Sequence, residues 1–442
     1  MKMRIIAAIC MSIGIAGSVV AQDQKIVAKQ VDLDRLSDEV AIETYSRTTG
    51  APISTAKADL ARQGLAQEEI DVIRKEFKER IAEVYWEDYP HQSVKVLLSG
   101  SEKVPPRVIS TAAGPVSVVF QEGAKESAEA RLQRQRELIR RLSLMVPGVV
   151  GGYLDARTGV LHADVESQDG ERTAVEAEIS SIEQALGVKV EISFGRPASK
   201  EAGPVSRATD DRHRADSSRR SITALPGVIP GGWKLLSVST GLYCTGGFTV
   251  HHIASGKTGI VTAGHCPDTS VYQDYPVPPS LIPSVILPTT LEGRFWGGEY
   301  DLQWHSFDGG LNANAVFCKN TQDCGEVVIL KIPKPSLGTV ACHMGATTGA
   351  SCGVVVSNEW TYAGTSTCNN PDQTTCPSGE WLRIEGPNLL CAGGDSGGPV
   401  FNGSTAYGLV KAAWDNQPSI GECGGIVVMP IDRVTAKGFL IL

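Results

Sequence analysis

The chain has no excess of basic residues. Its 41 Lys and Arg residues are outnumbered by 49 Asp and Glu residues, and the formal net charge at pH 7 is −8. Nucleic-acid binding needs a basic stripe and attachment to an anionic membrane needs a polybasic patch, and the sequence contains neither. We therefore expect no nucleic-acid partner.

Cysteine is almost missing from the first half of the chain, and no Cys-x-x-Cys pair occurs anywhere. Apart from Cys10, the other ten cysteines all lie between Cys244 and Cys423. Because cysteine metal sites commonly use such close pairs, an even number without them indicates disulfides in an exported domain.

His251 and His252 would point to opposite faces of a strand, and no calcium or zinc motif is present. We expect no metal and no cofactor.

Charged side chains are scarce in the second half of the chain. Residues 22–220 carry 62 of them in 199 positions, whereas residues 221–442 carry 26 in 222 positions. This contrast predicts two domains, each long enough for its own core. Residues 201–232 are rich in Gly, Pro, Ser, Arg and Asp without periodicity, which predicts a linker. We expect a maturation cleavage in this linker, and the SSRR run at 217–220 is one candidate site.

Residues 1–21 have the pattern of a signal peptide. Lys2 and Arg4 form a charged start, Ile5–Val20 forms an apolar core, and Ala21 ends a small-residue cleavage site. The apolar core is short for a membrane span, so a retained anchor is the less favoured alternative. We expect export, either to a periplasm or to the medium.

Residues 22–200 combine helical and strand patterns. Apolar residues at helical spacing, with charges between them, predict helices at Ala66–Ala82, Lys125–Leu144 and Ala174–Leu186. Alternating or apolar runs predict strands at Ser93–Leu98 and Val188–Ser193 and a hairpin at Gly151–Val165. The first domain is therefore predicted to be α+β.

From Trp233 onward, short apolar or alternating runs recur between Gly, Pro and Asn, and no long amphipathic helix is visible. Strands are predicted at Leu235–Val238, Gly247–His251, Gly259–Thr262, Glu326–Ile332, Val354–Val356, Glu380–Ile384, Ala406–Ala412 and Gly425–Met429. Many short strands separated by turn residues predict an all-β barrel or sandwich.

Ser396 lies in a glycine-rich motif, CAGGDSGGPVF, at Cys391–Phe401. A serine hydroxyl attacks a carbonyl efficiently only if a base takes its proton and donors stabilise the oxyanion that forms. Glycines let consecutive backbone N–H groups point into one concavity. We expect Ser396 to be a nucleophile, with the Gly394 and Ser396 amides as oxyanion donors.

The base should be a histidine, and His265 has the most suggestive setting of the eight. It follows an apolar run that ends in small residues, GIVTAGHC at Gly259–Cys266. Such a run would hold an imidazole at the end of a strand. Together with the serine motif, this predicts that His265 is the base.

Two runs, TAGHC at Thr262–Cys266 and GDSGGP at Gly394–Pro399, resemble the signatures of the chymotrypsin-fold (trypsin-like) serine endopeptidases. The resemblance implies a double antiparallel β-barrel over residues 233–442, with the active site in the cleft between the barrels. The family places an aspartate in a short Asp-apolar pattern between the signatures, and Asp301 in YDLQW fits it. Asp301 would orient His265. The less favoured alternatives are Asp268, Asp274 and Asp308.

The resemblance also implies disulfides wherever cysteine positions match the family. These are Cys244 with Cys266, Cys342 with Cys352, and Cys391 with Cys423. The cysteines that then remain would pair locally, as Cys318 with Cys324 and Cys368 with Cys376.

The segment CHMGATTGASCG at Cys342–Gly353 is similar to the bacterial streptogrisin and α-lytic protease branch. In that branch an arginine after the first cysteine pairs with the buried aspartate before the nucleophile. Here His343 stands at the position of that arginine, beside a matching Asp395. We expect a buried pair of Asp395 with a protonated His343, and activity that falls as His343 loses its proton.

An α+β domain between a signal peptide and a protease is most simply a propeptide. The hairpin at Tyr153–Val165 also resembles the propeptides of the same branch, which help the protease to fold and then inhibit it. We therefore expect residues 22–200 to be the protease's own foldase and inhibitor. The alternative is a stand-alone ligand-binding domain.

The specificity pocket is predicted from Leu390, Lys411, Ala412 and Ala413. Family members that prefer basic residues carry an aspartate where Leu390 stands, and Lys411 replaces a serine that supports the catalytic aspartate. Lys411 could turn outward and leave an apolar pocket, or point inward and favour acidic residues. The apolar pocket is preferred.

The sequence thus predicts a secreted, monomeric serine endopeptidase made as a pre-pro-enzyme, with protein or peptide substrates. A catalytically impaired binding protein on the same scaffold is the first alternative, because His343 and Lys411 depart from the family. An esterase or acyl transferase with the same triad is the second, but no strand-turn-helix surrounds Ser396.

Overall fold

The computed structural model describes residues 34–166, 171–197, 228–269, 271–273, 286–307, 314–319, 328–364, 379–415 and 423–442. The predicted signal peptide, Cys10 and most of the predicted linker lie outside the described residues. So do Asp274, Asp308, Cys324, Cys368 and Cys376.

The first half of the chain has the predicted α+β composition. Its elements are α1 Asp34–Thr49, α2 Ile53–Glu76, β1 Ile81–Glu87, β2 Ser93–Ser99, β3 Arg107–Thr111, β4 Gly114–Ala124, α3 Ala128–Met145, β5 Val149–Leu154, β6 Leu161–Glu166, α4 Glu171–Leu186 and β7 Val190–Pro197. Strands β1 to β4 form one sheet, in the order β1-β2-β4-β3, and the buried face of α2 shares its apolar core. Strands β5, β6 and β7 share a second core with α3 and α4.

One predicted helix was too long. The helical pattern at Ala66–Ala82 continues past Glu76, but α2 ends there and Ile81 begins a strand. The run IAEVYWE is rich in β-branched and aromatic residues, and it pairs antiparallel with β2. Tertiary pairing therefore overrides the helical spacing of Ile81 and Ala82.

The second half is built of short strands, as predicted. Its elements are β8 Val228–Gly231, β9 Lys234–Leu236, β10 Tyr243–Thr245, β11 Thr249–His252, β12 Lys257–Thr262, β13 Val271–Gln273, β14 Ile286–Gly297, β15 Tyr300–Phe307, β16 Asn314–Phe317, β17 Leu330–Lys331, β18 Val340–Gly345, β19 Gly349–Tyr362, β20 Trp381–Glu385, β21 Pro399–Asn402, β22 Thr405–Asp415, β23 Gly425–Pro430, α5 Asp432–Thr435 and β24 Phe439–Ile441.

These strands form the predicted chymotrypsin-like pair of antiparallel β-domains. One has the order β10-β9-β13-β14-β15-β12-β11-β24, and the other has β18-β21-β22-β23-β20-β19 with an additional β18–β19 pairing. Buried side chains from both domains, including Leu302 and Leu409, belong to one apolar cluster. The turn after β12, the start of β15 and the loop before β21 meet where the two domains pack.

The two halves of the chain share a β-sheet. Strand β5 pairs antiparallel with β19, so that Gly151 lies opposite Tyr362, and β7 pairs with β22. Glycine is required at position 151, because a Cβ there would lie 2.4 Å from both the Thr361 carbonyl oxygen and the Trp360 ring. The sheet of the second β-domain therefore continues into the N-terminal half.

Three of the predicted disulfides join described residues: Cys244–Cys266, Cys342–Cys352 and Cys391–Cys423. Cys318 is also disulfide-bonded. No helix in the described part of the chain is both long and apolar enough to span a membrane. Among the same residues, no cluster of three or more His, Cys, Asp or Glu side chains could hold a metal ion.

Candidate active site

His265 lies in the turn that follows β12. Strand β12 buries its last four residues, and the turn packs so closely on β15 that a Cβ on Gly264 would lie 2.7 Å from the Leu302 amide nitrogen. The Cys244–Cys266 disulfide ties this turn to β10. The imidazole is buried, with 8% of the residue exposed.

Asp301 is the carboxylate that contacts His265. It lies near the start of β15, which pairs with β12 through Thr262 and Gln303 and so sets the two side chains face to face. Its Oδ2 lies 2.7 Å from His265 Nδ1, and its Oδ1 accepts from the His265 amide at 2.9 Å. The alternative Asp268 is instead paired with Arg294 at 2.6 Å.

Ser396 completes a continuous chain of contacts. Its Oγ lies 2.9 Å from His265 Nε2, so the three predicted residues come together from separate parts of the second half. Glycine is required after the serine, because Gly397 has φ +84° and a Cβ there would lie 2.0 Å from Thr262 Oγ1.

The backbone amides around Ser396 differ in whether they donate to a carbonyl of the described residues. The Asp395 and Gly397 amides donate to the carbonyls of Ala392 and Val410, at 3.2 and 2.7 Å. Within the described residues, the Gly394 and Ser396 amides have no such acceptor. Gly394 has φ +98°, a conformation that suits the turn of the predicted oxyanion site.

Asp395 is buried, but it is not bonded to His343 as expected. Its Oδ1 accepts from the Thr347 and Thr348 amides at 2.9 and 3.1 Å, and its Oδ2 accepts from Thr348 Oγ1 and the Ala392 amide at 2.7 and 2.9 Å. Four donors therefore stabilise the carboxylate without a cation. Thr347 and Thr348 belong to the quoted Gly-x-Thr-Thr-Gly run, yet only the fold shows that they face Asp395.

The expectation of a protonated His343 is wrong. Its ring is fully buried, and Nε2 lies 2.7 Å from the Leu390 carbonyl oxygen and 2.9 Å from Ser351 Oγ. Nδ1 has no hydrogen-bond partner among the described residues. Burial lowers the pKa of His343 by more than the nearby Asp395 charge raises it. The residue is therefore a neutral donor to Leu390.

Lys411 does not turn outward, so that expectation is also wrong. The residue is 9% exposed, and its Nζ donates to Asp301 Oδ2 at 2.7 Å. The ammonium points inward, but it meets a carboxylate of the protein and so cannot be counted as a pocket group for acidic substrates. Of the other predicted pocket residues, Ala413 is buried, and Leu390 and Ala412 are partly exposed.

The Asp301 carboxylate stays ionised in this setting. Burial by itself raises the pKa of Asp301, but the His265 imidazole and the Lys411 ammonium together hold it well below the ordinary value for aspartate. Burial alone would likewise lower the pKa of Lys411, and Asp301 outweighs it and raises that pKa. Both groups are charged over the whole neutral range.

The chain is similar to known serine proteases. No protein-family model matches the chain. Serine protease 2 of Streptomyces fradiae is 28% identical over 193 residues, a match that covers 42% of this chain and 96% of that protein. The chain is therefore similar to a serine protease, and its second half has a chymotrypsin-like pair of β-domains. Its sequence resembles the bacterial streptogrisin and α-lytic protease branch.

Solved structures similar to this chain include two proteases. Protease A of Thermobifida fusca is 22% identical; the match covers 49% of this chain and 98% of the solved chain, with a TM-score of 0.36. The Nocardiopsis protease is also 22% identical, with coverage of 48% and 96% and a TM-score of 0.36.

Proposed function

We propose that the chain hydrolyses peptide bonds with Ser396 as nucleophile, His265 as general base and then general acid, and Asp301 as the residue that orients His265. The observation that carries this proposal is the unbroken series of contacts from Ser396 Oγ through the imidazole to the Asp301 carboxylate, at 2.9 and 2.7 Å. Each of these three residues is less than a tenth exposed, so water competes little for the contacts.

The reaction follows from these contacts. Ser396 Oγ attacks the carbonyl carbon while its proton moves to His265 Nε2, and the Gly394 and Ser396 amides stabilise the oxyanion. His265 then gives the proton to the leaving amine, the C–N bond breaks, and an ester forms on Ser396. Water attacks this acyl-enzyme with His265 again as base, which releases the acid product and restores Ser396.

The N-terminal half is proposed to be a propeptide that helps the protease to fold and then inhibits it. In support, β7 pairs antiparallel with β22 at Trp414 and Asp415, immediately after the proposed pocket residues Ala412 and Ala413. A peptide substrate would add an extended strand to the same wall. The proposed boundaries are residues 22–200 for the propeptide, 201–232 for the linker and 233–442 for the protease.

Export and substrate preference complete the proposal. Signal residues 1–21 would direct the chain to an oxidising compartment, in keeping with its disulfides. Leu390, Ala412 and Ala413 would line an apolar pocket for the residue before the cleaved bond, because Lys411 is held by Asp301.

The test is to express the full chain and Ser396→Ala in an oxidising compartment and to follow chain length and casein hydrolysis together. We expect the parent chain to be processed to about half its length and to become active, and Ser396→Ala to lose activity by about 10⁴-fold or more. Ser239→Ala, which changes an exposed serine of the other β-domain, serves as the matched control.

An organophosphonate fluoride separates the remaining explanations, because it labels only an activated serine. Labelling of the parent chain at Ser396, and not of Ser396→Ala, supports the proposal even if another protease performs the processing. A folded parent chain that is neither labelled nor active would favour the binding-protein alternative. The continuous contacts at Ser396 argue against that alternative.

A further inference from the structure

Lys411 is held in place by the strand that carries it. Strand β22 pairs with β23 and has a register irregularity between Val410 and Ala412, so Lys411 lies at a bulge. The preceding Val410 is fixed on both sides, because its carbonyl accepts from the Gly397 amide at 2.7 Å and its amide donates to the Gly398 carbonyl at 2.9 Å. The position of Lys411 is thus coupled to the loop of the nucleophile.

The ammonium of Lys411 has an enclosed and mostly aromatic environment. It lies 5.3 Å from the centre of the Trp381 ring and 5.7 Å from that of Tyr362. In the described part of the chain, Asp301 is the carboxylate with which it forms an ion pair. A lysine buried in this way is stable only while that carboxylate is charged.

The same oxygen of Asp301 receives both of its partners. Oδ2 lies 2.7 Å from His265 Nδ1 and 2.7 Å from Lys411 Nζ, so the imidazole and the ammonium are at most twice that distance apart. When His265 accepts the Ser396 proton, the new imidazolium faces a carboxylate whose charge is already balanced by an ammonium. An uncharged residue at position 411 would leave that carboxylate free to stabilise the imidazolium fully.

We propose that Lys411 is a positioning residue that fixes Asp301 and weakens its stabilisation of the imidazolium, which keeps the protease active at lower pH than an uncharged residue would allow. This inference rests on the proposed roles of Ser396, His265 and Asp301. It assigns to Lys411 a task separate from substrate recognition.

Other groups around the pair do not account for such an effect. Burial raises the pKa of Tyr362, on β19, so this hydroxyl is neutral in the working range. Arg433, in α5, lies over the Trp381 ring, with its Cζ 4.6 Å from the ring centre, and its guanidinium remains charged. The Asp164 carboxylate of the N-terminal half raises the pKa of Tyr362 further, so it also keeps that hydroxyl neutral. The Asp301 amide contacts the Met429 sulfur, which carries no charge.

The experiment measures the pH dependence of kcat/KM for the parent chain, Lys411→Met and Lys411→Gln. Each protein is expressed as the full chain and is used in the form to which it is processed. Both variants remove the charge at similar length, and Gln keeps a hydrogen-bond donor. We expect the acid side of the kcat/KM profile, where activity rises with pH, to move to higher pH by about one to two units in both variants, with KM little changed. Lys257→Met removes an ammonium that is paired with Glu292, on the β-domain that carries His265 and Asp301, and it should leave the pH profile unchanged.

A second readout does not depend on turnover. In a Ser396→Ala background, the pH midpoint of the His265 ring signals in NMR should move upward with Lys411→Met by a similar amount. An unchanged kcat/KM profile and midpoint, or a Gln variant that behaves like the parent chain, would overturn the inference. Full activity of Ser396→Ala would instead overturn the proposed function, so the two failures are distinguishable.

Discussion

Arg131 of helix α3 forms a buried ion pair with Glu359 of strand β19, and this pair links the two halves of the chain. Arg131 Nη2 donates to Glu359 Oε2 at 2.7 Å, and Nη1 lies 3.1 Å from Glu83 Oε2. Arg131 is 4% exposed, and Glu83 and Glu359 are also buried. The Lys334 ammonium lies 3.3 Å from Glu359 Oε1, so Arg131 and Lys334 together balance the two buried carboxylates.

Arg131→Met should destabilise the full chain strongly. The substitution keeps the volume of the side chain but removes the cation that is paired with Glu83 and leaves Glu359 with Lys334 alone. Breaking a buried ion pair in this way costs about 3–5 kcal/mol. Urea unfolding of the Ser396→Ala chain, which prevents self-cleavage, measures the loss. Arg140→Met is the matched control on the same helix, because Arg140 pairs with Glu137 at the surface. Equal effects of the two substitutions would contradict the role of the buried pair.

Asp164 should give the stability of the chain a measurable pH dependence. Its Oδ1 accepts from Arg383 Nη2 at 3.0 Å and its Oδ2 from Trp360 Nε1 at 2.9 Å, both across the join between the halves. Burial raises the pKa of Asp164 to about 6 in spite of Arg383. Because the folded chain then binds this proton more tightly than the unfolded chain, the contribution of Asp164 to stability falls as pH rises from about 4 to 6.

Asp164→Asn tests this dependence in the Ser396→Ala chain. The difference in unfolding free energy between variant and parent should change by up to about 3 kcal/mol between pH 4 and pH 7, in favour of the variant at the higher pH. Asp155→Asn is a control of opposite sign: burial raises the pKa of Asp155, but Arg157 outweighs it and lowers that pKa. A constant difference for Asp164→Asn would refute the prediction.

His343 should not control activity in the alkaline range. Because burial lowers the pKa of His343, the ring is neutral throughout pH 7–9 and has no proton to lose there. His343→Gln keeps an amide that can donate to the Leu390 carbonyl, so the ratio of its kcat/KM to that of the parent chain should stay constant over this range. A ratio that rises steadily with pH would show that the parent loses a needed charge.

Local motifs carried most of what the sequence revealed about the fold and the site. The runs around His265 and Ser396 are short, and each includes the glycine that its turn requires, so both residues were found without knowledge of the fold. The strands of the second half were visible because each is bounded by turn residues. The end of α2 was missed because Ile81 and Ala82 fit a helix locally, and only pairing with β2 selects a strand.

Side-chain partners across the fold could not be read from the sequence. Lys411 meets a carboxylate 110 residues away, and Thr348 meets Asp395 across 47 residues. The error at His343 came from treating its charge as a property of the residue type. Its charge depends on desolvation, which only the packed structure defines.

Because the two halves share a sheet, cleavage of the connection between them and release of the N-terminal half would be two separate events. A cut within residues 198–227 would break the covalent connection between the halves but none of the pairings of β5 with β19 or of β7 with β22. The cleaved protein would remain a two-chain complex, with its strand edges covered, until the N-terminal chain unfolds or is digested. The duration of latency would then be a kinetic property of that chain, set by its unfolding rate and independent of the rate of cleavage.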